Sequence, residues 1–216
     1  MSYGHDPHMP TPTPPHRFAA DPLVVAQDGV ATVHQLMDLG CASSAIAAHC
    51  RPPGPWRRLM PRVILLRTAA PTIQQRLRGA LLYAGPDALL TGPAALALYG
   101  LESVPRLGSH PEVDVVVAHR AVPRSHAYVR VHPTVRPALR VPVRNLACTP
   151  LPRAVADALP HLADPASLAA LLTEVTERGL CRPDDVAAEV RAAAPAGDPR
   201  VAAVLRRIVG PEAGSL

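Results

Sequence analysis

The sequence predicts an α+β protein, in which an N-terminal winged helix-turn-helix is followed by a mixed α/β domain with a helical C-terminal end. Three observations predict this order. Short amphipathic runs and then two β-prone runs fill residues 17–68, valine-rich runs fill 112–150, and helix-start signals recur after residue 150. The chain has 216 residues, enough for two or three modest cores. We therefore expect domains at 17–68, 69–150 and 151–216, after a leader at 1–16.

The leader is polar and rich in proline, and its histidines are scattered. This composition favours a disordered tail over a metal site. The leader lacks the apolar core of a secretory signal. No apolar run in the chain approaches the about 20 residues that span a bilayer. We therefore expect a soluble, cytoplasmic protein that does not contact membranes.

Two short helices joined by a tight link are predicted within 17–68. Thr32 and Gln35 have the spacing of a capping box, which starts the first of these helices. Gly40 ends that helix, and Ser43 or Ser44 is expected to cap the next one, "SSAIAAHCR". Two helices of about two turns joined in this way fit a helix-turn-helix.

A two-stranded wing is predicted to follow. The runs "WRRL" and "RVILLR" are β-prone and flank Met60–Pro61. Trp56, the single tryptophan, is expected to anchor the wing against the helices rather than to lean on a DNA backbone. Arg57 and Arg58 are adjacent on a strand, so they point to opposite faces and at most one faces the DNA directly.

The remaining elements are read from periodicity. Apolar residues at four-residue spacing predict a helix from Ile73, which is broken at Gly85–Pro86, and "TGPAALALYGL" predicts a second. "EVDVVVA" and "AYVRVHP" are predicted strands, and "LRVPVRN" is a candidate third. Three later helices are expected to begin at Asp164–Pro165, Pro183 and Asp198–Pro199, where proline and acid suit the first turn. The apolar stripe of Leu168, Leu171, Leu172 and Val175 is interpreted as core, with a dimer face as the alternative.

Charge points to nucleic acid. The net charge is +5, all basic residues are arginines, and no acidic residue lies between Asp38 and Asp87. This interval includes the predicted wing, so the positive field belongs to the N-terminal third of the chain. Most affinity for duplex DNA comes from phosphate neutralisation. The predicted DNA-binding residues are Ser43, Ser44, His49, Arg51, Arg57, Arg58 and Arg62.

Enzyme and metal functions are not expected. Without lysine the chain has neither a P-loop lysine nor a Schiff-base lysine, and no GxSxG or glycine-rich phosphate loop occurs. Glu112 and Asp114 point to the same side of a strand, but no third acid accompanies them, which favours a solvated strand face near Arg120 or Arg130. Asp157 is expected to pair with Arg153 one helical turn earlier. The four cysteines form no CxxC pair, so we expect reduced thiols, no metal and no cofactor.

Four segments resemble the actinobacterial branch of the AbiE-type (type IV) antitoxin family: "QDGVATVHQLMDLG", "GPWRRLMPRVILL", "QQRLRGALLYAGPDALLTGPAALALYGL" and "LACTPLPRAVADAL". The resemblance spans about residues 22 to 160. It implies a winged helix-turn-helix, an α/β antitoxin domain and a DNA-binding autorepressor. Such a protein opposes a nucleotidyltransferase-like toxin and has no catalytic site of its own.

The chain departs from that family pattern in three places. The reading helix of the family usually carries several arginines, whereas this chain has Ala47 and Ala48 beside Ser43 and His49. After the wing proline the family has Gly-Val-Tyr, and here Arg62 begins the corresponding triplet. Many relatives continue into a segment resembling a very-short-patch-repair endonuclease, which is not expected here. We favour a regulator that binds its own promoter, alone or as a homodimer. Two alternatives remain open: a winged-helix protein-interaction module that does not bind DNA, and an active partner enzyme whose Mg²⁺-dependent activity would require Asp114.

Overall fold

The computed structural model describes residues 14–106, 112–119, 123–162, 164–193, 204–206 and 208. The chain splits into two compact units, Met1–Gln75 and Arg76–Leu216. Each unit contains helices and one sheet, so the α+β class predicted from the sequence is confirmed. Domain boundaries were expected at residues 68/69 and 150/151, whereas the division between the units falls within a helix that spans Ile73–Ala84.

The first unit combines four short helices with a three-stranded antiparallel sheet. Its elements in chain order are α1 (Pro15–Ala19), α2 (Pro22–Ala26), β1 (Val30–Thr32), α3 (Val33–Asp38), α4 (Ser43–His49), β2 (Arg57–Met60) and β3 (Val63–Leu65). The strand order is β1-β3-β2, which places β3 in the centre. All three residues of β3 are buried, as a central strand with a covered face requires.

Local signals explain how α3 begins. The Thr32 hydroxyl accepts from the Gln35 backbone N–H at 3.1 Å, and the Gln35 side chain accepts from the Thr32 backbone N–H at 2.8 Å. This is the predicted capping box. Gly40 follows the helix with a φ of +87°, a conformation that favours glycine.

The start of α4 differs from the prediction. Ala42 occupies the N-cap position, and no side chain caps the helix. Ser43 and Ser44 lie inside the first turn and are exposed, so the expectation that one of them caps α4 was wrong. The helix begins one or two residues earlier than predicted, and a serine within the first turn cannot accept the bonds that an N-cap accepts.

The second unit is built on a five-stranded mixed sheet. Its elements are α5 (Ile73–Ala84, shared with the first unit), β4 (Leu89–Leu90), α6 (Gly92–Leu98), β5 (Val113–Ala118), β6 (Val129–Thr134), β7 (Val141–Val143), β8 (Leu146–Cys148), α7 (Leu151–Ala158), a 3-10 turn (Leu159–His161), α8 (Pro165–Glu177) and α9 (Pro183–Ala193). The strand order is β6-β5-β4-β8-β7. The β5–β6 and β4–β8 pairs are parallel, and the β4–β5 and β7–β8 pairs are antiparallel.

The candidate strand "LRVPVRN" becomes half of a hairpin. Arg144 and Asn145 connect β7 to β8, with φ values of +47° and +61°. Two successive left-handed residues match the tight turn that suits the twist of a hairpin. Sequence analysis identified β7 but missed both β8 and the two-residue β4.

The C-terminal helices begin largely as expected. The Asp164 carboxylate accepts from the Ser167 backbone N–H at 2.8 Å and caps α8. α9 begins at Pro183 with two acids in its first turn. The third predicted start, Asp198–Pro199, lies outside the described residues. Leu171, Leu172 and Val175 are buried and Leu168 is half-buried, which agrees with the core interpretation of the stripe.

Candidate nucleic-acid interface

Four exposed arginines lie on the turn after α4 and on the β2–β3 hairpin, and we name them the arginine surface. Arg51 follows α4, Arg57 and Arg58 lie on β2, and Arg62 lies in the hairpin turn with a φ of +64°. In the part of the chain that the structure describes, none of the four is in an ion pair with a carboxylate. Their charge therefore remains available to an anionic partner.

The edge position of β2 accounts for the exposure of both of its arginines. Arg57 is opposite Leu65 and Arg58 is opposite Ile64, with an irregularity in the register before Met60. Adjacent strand residues point to opposite faces, yet both arginines are exposed, because β2 is an edge strand and only its end, at Met60, is buried.

The outer face of α4 is made of small residues. Ser43, Ser44, Ala47 and Ala48 are exposed, whereas Ile46 is buried against the core. No guanidinium or carboxamide group stands on this face. Bidentate recognition of guanine or adenine, the strongest kind of base reading, therefore has no donor on α4 itself.

His49 has a different environment from the one expected of a base-reading residue. Its ring lies 4.6 Å from the Trp56 ring, centre to centre, in an edge-on arrangement at 62°. The residue is half-buried. Sequence analysis missed this contact because it crosses the turn between α4 and β2.

Trp56 anchors the hairpin to the helices, as predicted. Its side chain is only 4 % exposed, and it contacts the Phe18 ring edge-on at 6.0 Å. Its backbone N–H donates to the His49 carbonyl at 3.1 Å. The core around it is formed by Phe18, Val24, Ala31, Leu36, Cys41, Ile46, Ile64 and Leu66.

The turn between α4 and β2 depends on Gly54. A Cβ atom at this position would overlap with the carbonyl oxygens of His49 and Arg51. The close approach of the two backbone segments therefore admits only glycine here. It brings the start of β2 next to the end of α4.

A buried carboxylate in the second unit corrects one sequence-based interpretation. Asp114 is 3 % exposed, so the expectation of a solvated strand face was wrong for it. Its carboxylate lies 2.6 Å from the His132 Nε2 on β6 and 3.3 Å from the His161 Nε2 on the 3-10 turn. Glu112, by contrast, forms an exposed ion pair with Arg130. The error arose because α6 packs on β5 and the 3-10 turn brings His161 to the Asp114 carboxylate, and neither contact is visible in the strand pattern.

Hydrogen bonding controls the charge of this cluster. Burial opposes ionisation of Asp114, but the hydrogen bonds from His132 and His161 outweigh it and hold the pKa of Asp114 well below its usual range. The hydrogen bond to Asp114 raises the pKa of His161 above its ordinary value, despite partial burial of the ring. An ionised aspartate next to a readily protonated histidine is the resulting state near neutral pH.

The predicted pair of Arg153 and Asp157 belongs to a second buried network. Arg153 Nε donates to both carboxylate oxygens of Asp157, at 2.8 and 2.9 Å. The Thr91 hydroxyl donates to the same carboxylate at 2.7 Å and lies 3.1 Å from the Thr149 hydroxyl. The pairing of Arg153 with Asp157 is thus confirmed, and the two threonines were missed because they come from distant parts of the chain.

The described residues contain neither a cluster suited to a metal ion nor a helix suited to a lipid bilayer. Within the described ranges, no group of three or more His, Cys, Asp or Glu residues has an arrangement that could hold a metal ion. No helix among those residues is both long and apolar enough to cross a lipid bilayer.

Burial raises the pKa of the Cys148 thiol to about 12, so this cysteine stays protonated.

Comparisons with known proteins bear on the fold. No family model matches the chain, and no curated protein matches it. The fold has a relative of known structure. The crystal structure of the RV2827C protein from Mycobacterium tuberculosis superposes with a TM-score of 0.51 at 16 % sequence identity, covering 86 % of this chain and 74 % of that one. At this identity the likeness concerns the fold alone, and it extends over both units.

Proposed function

We propose that this chain is a DNA-binding transcriptional regulator whose first unit acts as a winged helix-turn-helix. Two features support this assignment. A tight link at Gly40 joins α3 to α4, and the β2–β3 hairpin follows as a wing. The second helix of such a motif is the one that enters the major groove, so α4 is placed next to the bases and the hairpin next to the backbone.

The observation that carries the proposal is the arginine surface. Four exposed arginines without carboxylate partners among the described residues lie on the turn after α4 and on the β2–β3 hairpin. They are Arg51, Arg57, Arg58 and Arg62. Each arginine that contacts a phosphate releases condensed counterions from DNA, which gives affinity independent of sequence.

Base reading is expected to be weak. Ser43 and Ser44 are exposed and can form single hydrogen bonds to base edges, and Ala47 or Ala48 can contact a thymine methyl group. His49 contributes less, because its ring packs on Trp56. We therefore propose low to moderate sequence specificity, which a homodimer binding two half-sites would increase.

The physiological role that we propose is that of a type IV antitoxin and autorepressor in the cytoplasm. It rests on the resemblance of four segments to the AbiE-type family and on the order of those segments. We assign no catalytic step to the chain. Glu112 and Asp114 are the two acids whose spacing could suit a metal ion, but Glu112 pairs with Arg130 and Asp114 is bonded to histidines.

The first test is a salt titration of DNA binding. In the variant Arg57→Ala/Arg58→Ala, affinity for a duplex from the chain's own promoter should fall, and the slope of log K against log salt should flatten by about 1 to 2. Fluorescence anisotropy of a labelled duplex measures both quantities. Ala47→Arg should increase affinity for promoter and scrambled duplexes alike, since it adds a phosphate-binding charge beside the groove.

The matched control is Arg182→Ala/Arg191→Ala, which removes the same charge from exposed positions at α9. It should leave the slope unchanged. If both double variants lose affinity equally, the contact surface is not the one named here. If the unmodified protein does not bind duplex DNA at low salt, the first unit is an interaction module and the regulator assignment is wrong.

The second test addresses the antitoxin role. Co-expression with a nucleotidyltransferase-like toxin encoded beside the gene should restore growth that the toxin alone arrests. Plating efficiency measures the rescue, and a chain carrying Trp56→Ala serves as the misfolded control. Growth arrest that persists with the folded protein present would remove the antitoxin role while leaving DNA binding to be judged separately.

A further inference from the structure

A buried carboxylate between two histidines joins three separate segments of the second unit. Asp114 lies on β5, His132 on the edge strand β6, and His161 on the 3-10 turn that follows α7. The side chain of Asp114 is 4 % exposed, that of His161 is 22 % exposed and that of His132 is 52 % exposed. The carboxylate is thus inside the fold, while both imidazoles have access to water and its protons.

We propose that Asp114, His132 and His161 form a proton-dependent latch, which holds the 3-10 turn Leu159–His161 against β5 and β6 when His161 is protonated and loosens when His161 loses its proton. Protonated His161 is held to the Asp114 carboxylate by a hydrogen bond and by the attraction between opposite charges, whereas a neutral imidazole keeps at most the hydrogen bond. Loss of the proton leaves the 3-10 turn with a weaker attachment to the sheet. The region that responds is therefore the connection between α7 and α8.

The charged groups around the latch mostly have other partners. Glu112 directly precedes β5, Arg130 lies on β6, Arg153 and Asp157 lie on α7, and Glu189 lies on α9. α6, the helix that packs on β5, carries no charged residue. Glu112 binds Arg130, Asp157 binds Arg153, and Glu189 binds Arg136 at 3.0 Å. Glu112 also acts electrostatically on His161, and Arg130 interacts electrostatically with Asp114, whose carboxylate lies 3.3 Å from His161 Nε2.

The direction of the pH dependence follows from the two pKa changes. The pKa of His161 is raised, so its contribution is complete below its ordinary value of 6.5 and is lost as the pH rises through the folded-state value. The pKa of Asp114 is lowered, so its contribution is complete above its ordinary value of 3.8 and is lost on acidification below it. The latch is therefore closed between these values, and it opens on the alkaline side as the pH rises above 6.5 through the folded-state value of His161.

The test is hydrogen exchange of the full chain, corrected for the intrinsic pH dependence of exchange. The Leu162 backbone N–H donates to the Leu159 carbonyl at 3.2 Å and reports on the 3-10 turn. Its protection should fall several-fold between about pH 6 and about pH 8.5, on either side of the histidine titration. In His161→Gln the protection should be low and the same at both pH values.

A matched control is available in the first unit. His34 pairs with Asp38 at 2.8 Å, but both side chains are largely exposed. His34→Gln should leave the protection of Leu162 and its pH dependence unchanged. NMR titration of the imidazole resonances supplies a second readout, because Asp114→Asn should lower the pKa of His161 toward its ordinary value.

Two results would overturn the latch. One is a protection of Leu162 that stays constant between the two pH values in the unmodified protein. The other is a pH dependence that persists unchanged in His161→Gln, since it would then come from other groups. If Asp114→Asn does not fold, the pH series and His161→Gln still decide between the two outcomes.

Discussion

Replacing Trp56 with alanine is expected to lower the free energy of unfolding of the first unit by about 3–5 kcal/mol. The side chain is 4 % exposed and contacts Phe18 and His49, so its removal leaves a cavity between the hairpin and the helices. The core of this unit is small and contains few aromatic residues, which limits how far neighbouring side chains can close the gap. The expected loss approaches the whole stability of such a unit.

Chemical denaturation followed by circular dichroism measures this loss, since the variant has no tryptophan fluorescence. Trp56→Phe should lose less, because it keeps the edge-on contact with Phe18. Val25→Ala is the control: Val25 is 60 % exposed on α2, and its truncation should change stability by less than about 0.5 kcal/mol. A Trp56→Ala variant as stable as the Val25→Ala variant would show that the hairpin is not anchored through this side chain.

The second large effect is expected at Asp157. Asp157→Ala should lower the free energy of unfolding of the second unit by about 3–5 kcal/mol, because it leaves the buried Arg153 guanidinium without its main partner. The Arg153 side chain is 9 % exposed, and its next carboxylate, that of Glu189, is 3.9 Å away. The Thr91 hydroxyl loses its 2.7 Å bond in the same variant.

A double variant tests whether the loss in Asp157→Ala comes from the unpaired charge of Arg153. Asp157→Leu/Arg153→Met replaces both charges with apolar groups, and it should recover most of the loss seen in Asp157→Ala. Asp38→Ala, which breaks the exposed pair with His34, should cost less than about 1 kcal/mol. Urea unfolding monitored by circular dichroism gives all three values. A double variant no more stable than Asp157→Ala would contradict a penalty that comes from the unpaired guanidinium.

Sequence patterns predicted best where the interacting residues are neighbours. The capping box at Thr32 and Gln35 and the pair of Arg153 and Asp157 are contacts within one helical turn, so spacing alone defines them. The burial of Trp56 was also predicted, because a large aromatic side chain next to two helices is most stable when it packs against them. The α+β class followed from the spacing of apolar residues, which changes along the chain between a helical period and the alternation of a strand.

The sequence was least informative where contacts join distant segments. Asp114 looks solvated in a strand pattern, and its burial depends on α6 and the 3-10 turn, which pack against it in the folded protein. β4 has only two residues, too few for any period to appear. The partner of His49 was missed for the same reason, since Gly54 brings the end of α4 and the start of β2 closer than their separation in sequence suggests.

The position of β4 has a consequence for synthesis of the chain. β4 is the central strand of the second sheet, and it leaves the ribosome before both of its neighbours. Its parallel partner arrives with Cys148, and the hydroxyl contact between Thr91 and Thr149 joins residues 58 positions apart. The first unit closes its own sheet within 75 residues, so it can fold while the second is still being made. A nascent chain shorter than about residue 148 therefore contains one finished unit followed by a sheet whose centre still lacks a neighbour.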